Sequence, residues 1–149
     1  MDSSTLKKAC SYCIYQERTQ SEVREKLKSW SVYGDSAEEI IVWLISENFI
    51  NEGRYARQFA GGKFRVKKWG KKKIVYELKA KGLSQHCIQE AISEINDEDY
   101  QETLRSLVEQ KRASLSDDDH ILVNNRKIIN YLLNKGFEME EILPLVKGH

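Results

Sequence analysis

Residues 77–83 read ELKAKGL, and a closely similar motif, YLLNKGF, returns at residues 131–137. In both copies apolar residues follow the glycine six and ten positions later, and a third copy of this spacing lies upstream. The three sets are Gly34-Ile40-Leu44, Gly82-Ile88-Ile92 and Gly136-Ile142-Val146. Glycine readily adopts the left-handed backbone that closes a helix, so each copy predicts a helix, a glycine turn and a second helix. In the first copy, extra residues before the glycine predict a longer helix or turn.

A second repeated segment follows each of the first two glycine copies. INEGRYARQF at residues 50–59 aligns with INDEDYQETL at residues 95–104. Asn51 and Asn96 stand where an asparagine side chain can cap a helix. Two units therefore run helix, glycine turn, helix, asparagine-capped helix. Their period of about 50 residues is typical of stacked helical repeats.

These repeats predict an all-α protein built as a tandem array of three-helix repeats, elongated and curved. We expect a capping helix over residues 1–18, a first repeat over 19–69, a second over 70–114 and a truncated third repeat over 115–149. A capping box at residues 19–22 (TQSE) and the cap residue Ser84 support two of the helix starts. Pro144 is expected to kink or shorten the last helix, because proline lacks a backbone N–H.

The composition indicates a folded protein, with 40% hydrophobic and 32% charged residues in 149. No apolar stretch approaches the ~20 residues of a membrane span. The first ten residues, MDSSTLKKAC, lack the basic-then-apolar order of a signal peptide. We therefore expect a cytoplasmic protein, without membrane contact, that acts as a monomer.

Cys10 and Cys13 form a C-x-x-C motif, which raises the question of zinc or redox chemistry. A zinc site would need two further ligands, and the three histidines and Cys87 stand at no recognisable spacing. A redox pair would need a strand before it and a helix starting at the first cysteine. Instead, both thiols fall on a helical apolar stripe together with Leu6, Ala9 and Ile14. We expect buried core thiols, no metal and no cofactor.

No pattern of catalytic residues stands out. The nearest approach to a phosphate-binding loop, residues 60–63 (AGGK), lies inside a helical pattern, where it predicts a weak or closely packed point. The aspartates at 117–119 lack EF-hand spacing and suit the N-terminus of a helix. The sequence therefore predicts no enzymatic activity.

Charge is distributed unevenly along a chain whose formal net charge is +1. Residues 52–81 hold eleven Lys or Arg against two Glu, whereas residues 85–120 hold three basic residues against ten acidic ones. The densest run is KFRVKKWGKKK, residues 63–73, with seven basic residues and no acid. Such a run is either a solvated helix end or a contact surface for a polyanion.

Most aromatic residues fall on apolar stripes and are expected in the core. These are Tyr12, Tyr15, Trp30, Trp43, Tyr55, Phe59, Tyr76 and Tyr100. Trp69 differs because lysines surround it in the sequence. It either stacks on a base or a guanidinium group, or packs back on its own helix. Both interpretations stay open at this point.

Three segments of the chain resemble the RecX family of regulators of the bacterial RecA recombinase. They are ACSYCIYQERTQSEVREKLKSW (9–30), FINEGRYARQFAGGKFR (49–65) and KIVYELKAKGLSQHCIQEAI (73–92). Where the family typically has two acids in the middle segment, this chain has Asn51-Glu52, and asparagine there still serves as a helix cap. The resemblance implies an all-α array of three-helix repeats without catalytic residues, metal or cofactor.

The resemblance further implies a non-enzymatic protein that binds in the groove of the RecA–DNA filament. Such a protein inhibits ATP hydrolysis and strand exchange, and so acts in homologous recombination, DNA repair and the SOS response. One alternative is direct, sequence-independent binding of single-stranded or double-stranded DNA through the basic zone. Another is a helical scaffold for unrelated partners.

Within the basic run, Gly70 predicts a break between two helices. Lys67 and Lys68 then fall at a helix C-terminus, where the helix dipole favours cations. Lys71, Lys72 and Lys73 fall in the first turn of the next helix, where positive charge is disfavoured, so local stability does not explain them. We expect these three lysines to contact the anionic partner. The other candidate contact residues are Arg57, Lys63, Arg65, Lys67, Lys68 and Trp69.

Overall fold

The structure, a computed structural model, describes residues 1–147, and over this range the chain is helical without a strand. The predicted all-α repeat architecture is confirmed. The helices are α1 (Ser3–Tyr15), α2 (Gln20–Ser29), α3 (Asp35–Ser46), α4 (Glu52–Gly62), α5 (Lys71–Ala80), α6 (Gln85–Ser93), α7 (Asp97–Ala113), α8 (Ile121–Lys135) and α9 (Met139–Lys147). A single π-helical turn, Lys63–Lys67, extends α4.

Short polar side chains begin four of these helices, as their sequence positions predict. In each case a side-chain oxygen accepts a hydrogen bond from the backbone N–H three residues later, which satisfies a donor without an intrahelical partner. The distances are 3.1 Å at Thr19, 2.9 Å at Asn51, 3.2 Å at Ser84 and 2.9 Å at Asn96. The repeated asparagines therefore play the same role in two successive units.

Two of the three repeated glycines close a helix in the way predicted. Gly82 and Gly136 have φ of +84° and +103°, a region that a Cβ disfavours. Gly34 is different, and the prediction that it closes α2 is wrong. The extra residues of the first copy form a longer turn, in which Ser31 and Gly34 take positive φ of 62° and 64° and Gly34 becomes the N-cap of α3.

The apolar side chains form two separate clusters. One joins α1, α2 and α3 around Leu27, Ile41 and Leu44, and the other runs from α4 to α9 around Leu78 and Leu132. The protein exposes 9307 Å², whereas a compact monomer of this mass exposes about 7,800 Å². The excess fits the expected elongated array, while its curvature stays a prediction.

The closest helix packing falls within three consecutive triplets, α1–α3, α4–α6 and α7–α9. The predicted repeat boundaries at residues 18/19, 69/70 and 114/115 each lie between helices. The predicted repeats, however, begin at α2, α5 and α8, whereas the closely packed triplets begin at α1, α4 and α7. That division stays a prediction. The last two residues of the predicted third repeat, 148 and 149, lie outside the described residues.

Helix α9 does not stop at its proline. The helix continues for three residues beyond Pro144 to Lys147, and the expected kink or shortening stays a prediction. The missing N–H would have bonded to the carbonyl of Glu140, in the first turn. Only one intrahelical bond is therefore lost.

The thiols of α1 pack in the core, as predicted. Cys13 is buried and Cys10 half-buried in the first cluster. Burial raises the pKa of Cys13 to about 11, which keeps it protonated at neutral pH. Ile14, however, was expected on the same stripe and is 73% exposed, because it lies toward the solvent side of α1.

Side chains connect the first triplet of helices to the second. The guanidinium group of Arg54, in α4, pairs with the carboxylate of Glu17 beside α1, and its Nη2 donates to the carbonyl of Asn48 at 3.0 Å. Both partners of this pair are largely shielded from solvent. We refer to this contact as the Arg54–Glu17 clasp.

Main-chain atoms connect α8 to α5. The N–H of Gly70 donates to the carbonyl of Lys135 at 2.7 Å, and the N–H of Lys72 donates to the carbonyl of Gly136 at 3.0 Å. A Cβ added to Gly70 would lie 2.3 Å from the carbonyl carbon of Gly136. Glycine is therefore required at Gly70 by the close approach of two backbones, which we call the Gly70–Gly136 junction.

Replacing Gly70 by alanine is expected to destabilise the protein by about 2 kcal/mol or more, because backbone atoms have little room to yield. The matched control is Gly62→Ala. Gly62 has helical φ and ψ of −65° and −46°, and nothing lies within 4 Å of an added Cβ. That change should stabilise by about 0.5–1 kcal/mol. Urea unfolding measures both, and similar midpoints for the two variants would contradict the junction.

Candidate functional site

The basic run at residues 63–73 folds back on itself rather than forming one straight helix. The π-helical turn ends at Lys67, Lys68 takes a left-handed conformation with φ of 60°, and Gly70 is the N-cap of α5. The predicted break at Gly70 is therefore confirmed. The Nζ of Lys68 donates to the carbonyl of Arg65 at 2.9 Å, which helps to close the turn. This bend places lysines from both sides of Gly70 around Trp69.

The indole of Trp69 is half-buried and packs against α4. Its ring meets Phe59 edge-on, with centroids 6.2 Å apart. The ammonium groups of Lys63 and Lys73 lie 5.0 and 4.6 Å from the indole centroid, within the range of cation–π attraction. This geometry favours the packing interpretation, in which Trp69 holds two lysines in place.

Lys135, at the end of α8, is a member of the site that the sequence did not predict. Its Nζ donates to the carbonyl of Lys67 at 2.8 Å. Burial, followed by the like charges of Lys73, Lys68 and Lys67, lowers the pKa of Lys135. We call these four residues the lysine cluster. One sequence signal was available, because both copies of the motif place a lysine directly before the glycine.

The Gly70–Gly136 junction lowers the local free-energy cost of the lysines at the start of α5. The sequence alone places them in an unfavourable field, at the positive end of a helix dipole. In the structure, the C-terminal carbonyls of α8 lie against this end and bring partial negative charge. The local penalty is therefore smaller than predicted. The mutual repulsion within the lysine cluster remains.

The other predicted contact residues do not all join the lysine cluster. Lys71 turns toward α7, where its Nζ lies 3.5 Å from the Asp97 carboxylate and 4.6 Å from the Tyr100 centroid. The Nε of Arg57 lies 3.8 Å from the Glu94 carboxylate. Lys71 and Arg57 are therefore each paired with an acidic side chain. Arg65 and Lys72 are exposed.

The aromatic residues divide between core and surface. Tyr55 and Tyr100 are buried, whereas Tyr15 and Tyr76 are 82% and 71% exposed. The expectation that the last two lie in the core is wrong. Tyr76 lies on α5 opposite the buried Ile74 and Leu78. The prediction assigned Tyr76 to the apolar face of the helix, whereas the structure places it on the solvent face.

Residues 1–147 lack two further classes of feature. Within that range, no helix combines the length and apolar character needed to cross a bilayer. The same residues contain no group of three or more His, Cys, Asp or Glu side chains arranged to hold a metal ion.

Replacing Lys67 by glutamine is expected to raise the urea midpoint slightly at low salt, because the change removes a like-charge neighbour worth a few tenths of a kcal/mol and leaves the hydrogen bond from Lys68 to Arg65 in place. The control is Lys7→Gln, an exposed lysine in the first triplet. The gain should vanish in 1 M NaCl, where the screening length is about 3 Å. A loss of stability that is independent of salt would contradict mutual repulsion.

Comparison with known proteins shows similarity to RecX along most of the chain. The family profile "RecX, second three-helix domain" matches residues 51–92, which contain α4–α6. The profile "RecX, third three-helix domain" matches residues 97–144, which contain α7, α8 and most of α9.

Similar proteins include "Regulatory protein RecX" of Clostridium botulinum, 34% identical over 132 residues, and that of Clostridium acetobutylicum, 31% identical over 144 residues. These alignments cover 87% and 94% of this chain. The chain spans only 61% and 66% of the length of these two relatives.

Two crystal structures share the fold. RecX from Lactobacillus salivarius has a TM-score of 0.86 and 29% identity, covering 98% of this chain and 94% of that one. A second structure, of a regulatory protein RecX, has a TM-score of 0.83 and covers 97% of this chain and 72% of that one. At 23% identity, the second likeness concerns the fold alone.

Proposed function

Because this chain belongs to the RecX family, we propose that it is a non-enzymatic regulator of the RecA recombinase. It binds the filament that RecA forms on DNA and lowers ATP hydrolysis and strand exchange. It thereby limits homologous recombination, DNA repair and the SOS response. It acts in the cytoplasm as a monomer.

The observation that carries this proposal is the lysine cluster. Lys67 and Lys68 follow α4, Lys73 belongs to α5 and Lys135 ends α8, so two helix triplets contribute to one positive surface. Like charges held together cost free energy in the isolated protein, and an anionic partner offsets that cost. A recombinase filament on DNA offers phosphate groups at such a surface.

The proposal that the protein is not an enzyme rests on two points. The relatives above are named regulatory proteins. In addition, the buried thiol of Cys13, with its pKa raised to about 11, is a poor nucleophile at neutral pH. Regulation by binding needs neither a nucleophile nor a general base.

The test is RecA ATPase and strand exchange on single-stranded DNA with increasing amounts of this protein. The variant combines Lys67→Gln, Lys68→Gln and Lys135→Gln, and the control removes equal charge with Lys7→Gln, Lys28→Gln and Lys147→Gln. The cluster variant should need about tenfold more protein for half inhibition, equivalent to ~1.4 kcal/mol. The control should inhibit like the parent protein. No inhibition by the parent protein at saturation would contradict the proposal.

A second candidate function is direct, sequence-independent binding of DNA. The cations Arg65, Lys67, Lys68 and Lys72 favour it, because all four are exposed and lie within eight residues of the chain around the junction. Such binding would not need the recombinase. The two functions are compatible, since the filament presents protein and phosphate together.

Titration of naked single-stranded DNA at several salt concentrations tests this second function. If the lysine cluster neutralises four phosphates, the log–log slope should be about −2.8. The triple cluster variant should flatten the slope by about 2, at roughly 0.7 per phosphate, and the triple control variant should not. Affinity that is independent of salt, or binding only when RecA is present, would contradict it.

A further inference from the structure

The outward face of α5 carries an aromatic ring between two cations. Tyr76 is 71% exposed and points away from Ile74 and Leu78, both 0% exposed. Lys72 precedes Tyr76 by four residues and Lys79 follows it by three, so both lie on the same helix face, one turn away on either side. Both lysines are exposed.

No exposed residue of α5 is acidic, and the one acid of this helix, Glu77, is half-buried. Its outward positions are Lys72, Tyr76, Lys79 and Ala80. Lys73 follows Lys72 in α5 and belongs to the lysine cluster, so the outward face adjoins that cluster. The acid-matched cation Lys71 points toward Asp97, in a groove that Lys79 also lines.

We propose that Tyr76 is a stacking platform for a base of single-stranded nucleic acid, with Lys72 and Lys79 binding phosphates on either side of it. The inference rests on the nucleic-acid contact proposed above and names the residues and the kind of strand. Aromatic rings stack on any base, and cations beside them bind the backbone. The two lysines are seven residues apart, about 10.5 Å along the helix axis.

Trp69 does not offer the same platform, although it is the aromatic residue inside the basic run. Its ring packs against Phe59 and carries the ammonium groups of Lys63 and Lys73. The ring of Tyr76 is the more exposed of the two. The stacking role considered for Trp69 therefore belongs to Tyr76, seven residues further along the chain.

A nucleic acid fits this face better than a protein helix or groove does. Protein partners that dock on a helix face use several apolar anchors at spacings of three, four and seven residues. Here one aromatic stands between cations. A single strand also fits better than a duplex, because its bases have free faces for stacking, whereas duplex bases are already stacked.

The chain contains a matched control for Tyr76. Tyr33 is 64% exposed, similar to Tyr76, but it lies in the turn before α3, next to Gly34 and Asp35 rather than between lysines. Removing its ring tests the effect of losing an exposed tyrosine as such. Tyr76→Phe retains the ring and removes only the hydroxyl.

The experiment measures binding of a fluorescent oligo-dT strand, and of a duplex of equal length, by anisotropy without recombinase. Tyr76→Ala should weaken single-strand binding by about 5- to 150-fold, the range of one base–aromatic stack. Its salt slope should not change, because no phosphate contact is lost. Tyr76→Phe and Tyr33→Ala should stay within about twofold of the parent protein, and duplex binding by Tyr76→Ala should be unaffected.

Equal single-strand affinity of Tyr76→Ala and the parent protein would overturn the inference, as would an equal loss on strand and duplex. A loss of RecA inhibition with unchanged DNA binding would also overturn it, by assigning Tyr76 to a protein contact. If the parent protein binds no DNA, the inference fails while inhibition of RecA, measured separately, still decides the regulatory function.

Discussion

The close approach of Gly70 to Gly136 is the constraint on which the basic site depends. It brings the end of α8 against the start of α5 through main-chain hydrogen bonds of 2.7 and 3.0 Å. Lys135 reaches Lys67 only because the two helix ends meet there. The positive surface is therefore a product of the repeat architecture, and no single helix could form it.

A related approach occurs one unit earlier, between the turn after α5 and the start of α2. A Cβ added to Gly82 would lie 4.0 Å from the hydroxyl oxygen of Ser21. The C-terminal end of α8 thus lies against the start of α5, and the C-terminal end of α5 lies near the start of α2. The earlier contact is looser and involves a side chain, so the repeated glycines do not produce equally tight junctions.

The fold was predictable because its signals are local. Asn51, Asn96 and Gly82 each act within a few residues of their position in the chain, through capping or a left-handed turn. The site was less predictable. Lys135 joins it across 68 residues, and the pairing of Lys71 with Asp97 depends on how two helices pack. Tyr76 shows the same limit, since periodicity alone did not say which face of α5 lies outward.

The Arg54–Glu17 clasp differs in kind from the contact between α8 and α5. The contact from α8 to α5 is made by main-chain atoms and glycines, whereas the clasp is made by ionised side chains between two separate apolar clusters. Substitution of Arg54 or Glu17 would remove the clasp and leave the other contact intact, whereas salt acts weakly on a pair so shielded from solvent. The first three helices are therefore joined to the rest of the array in part by a contact that a single side-chain change can remove.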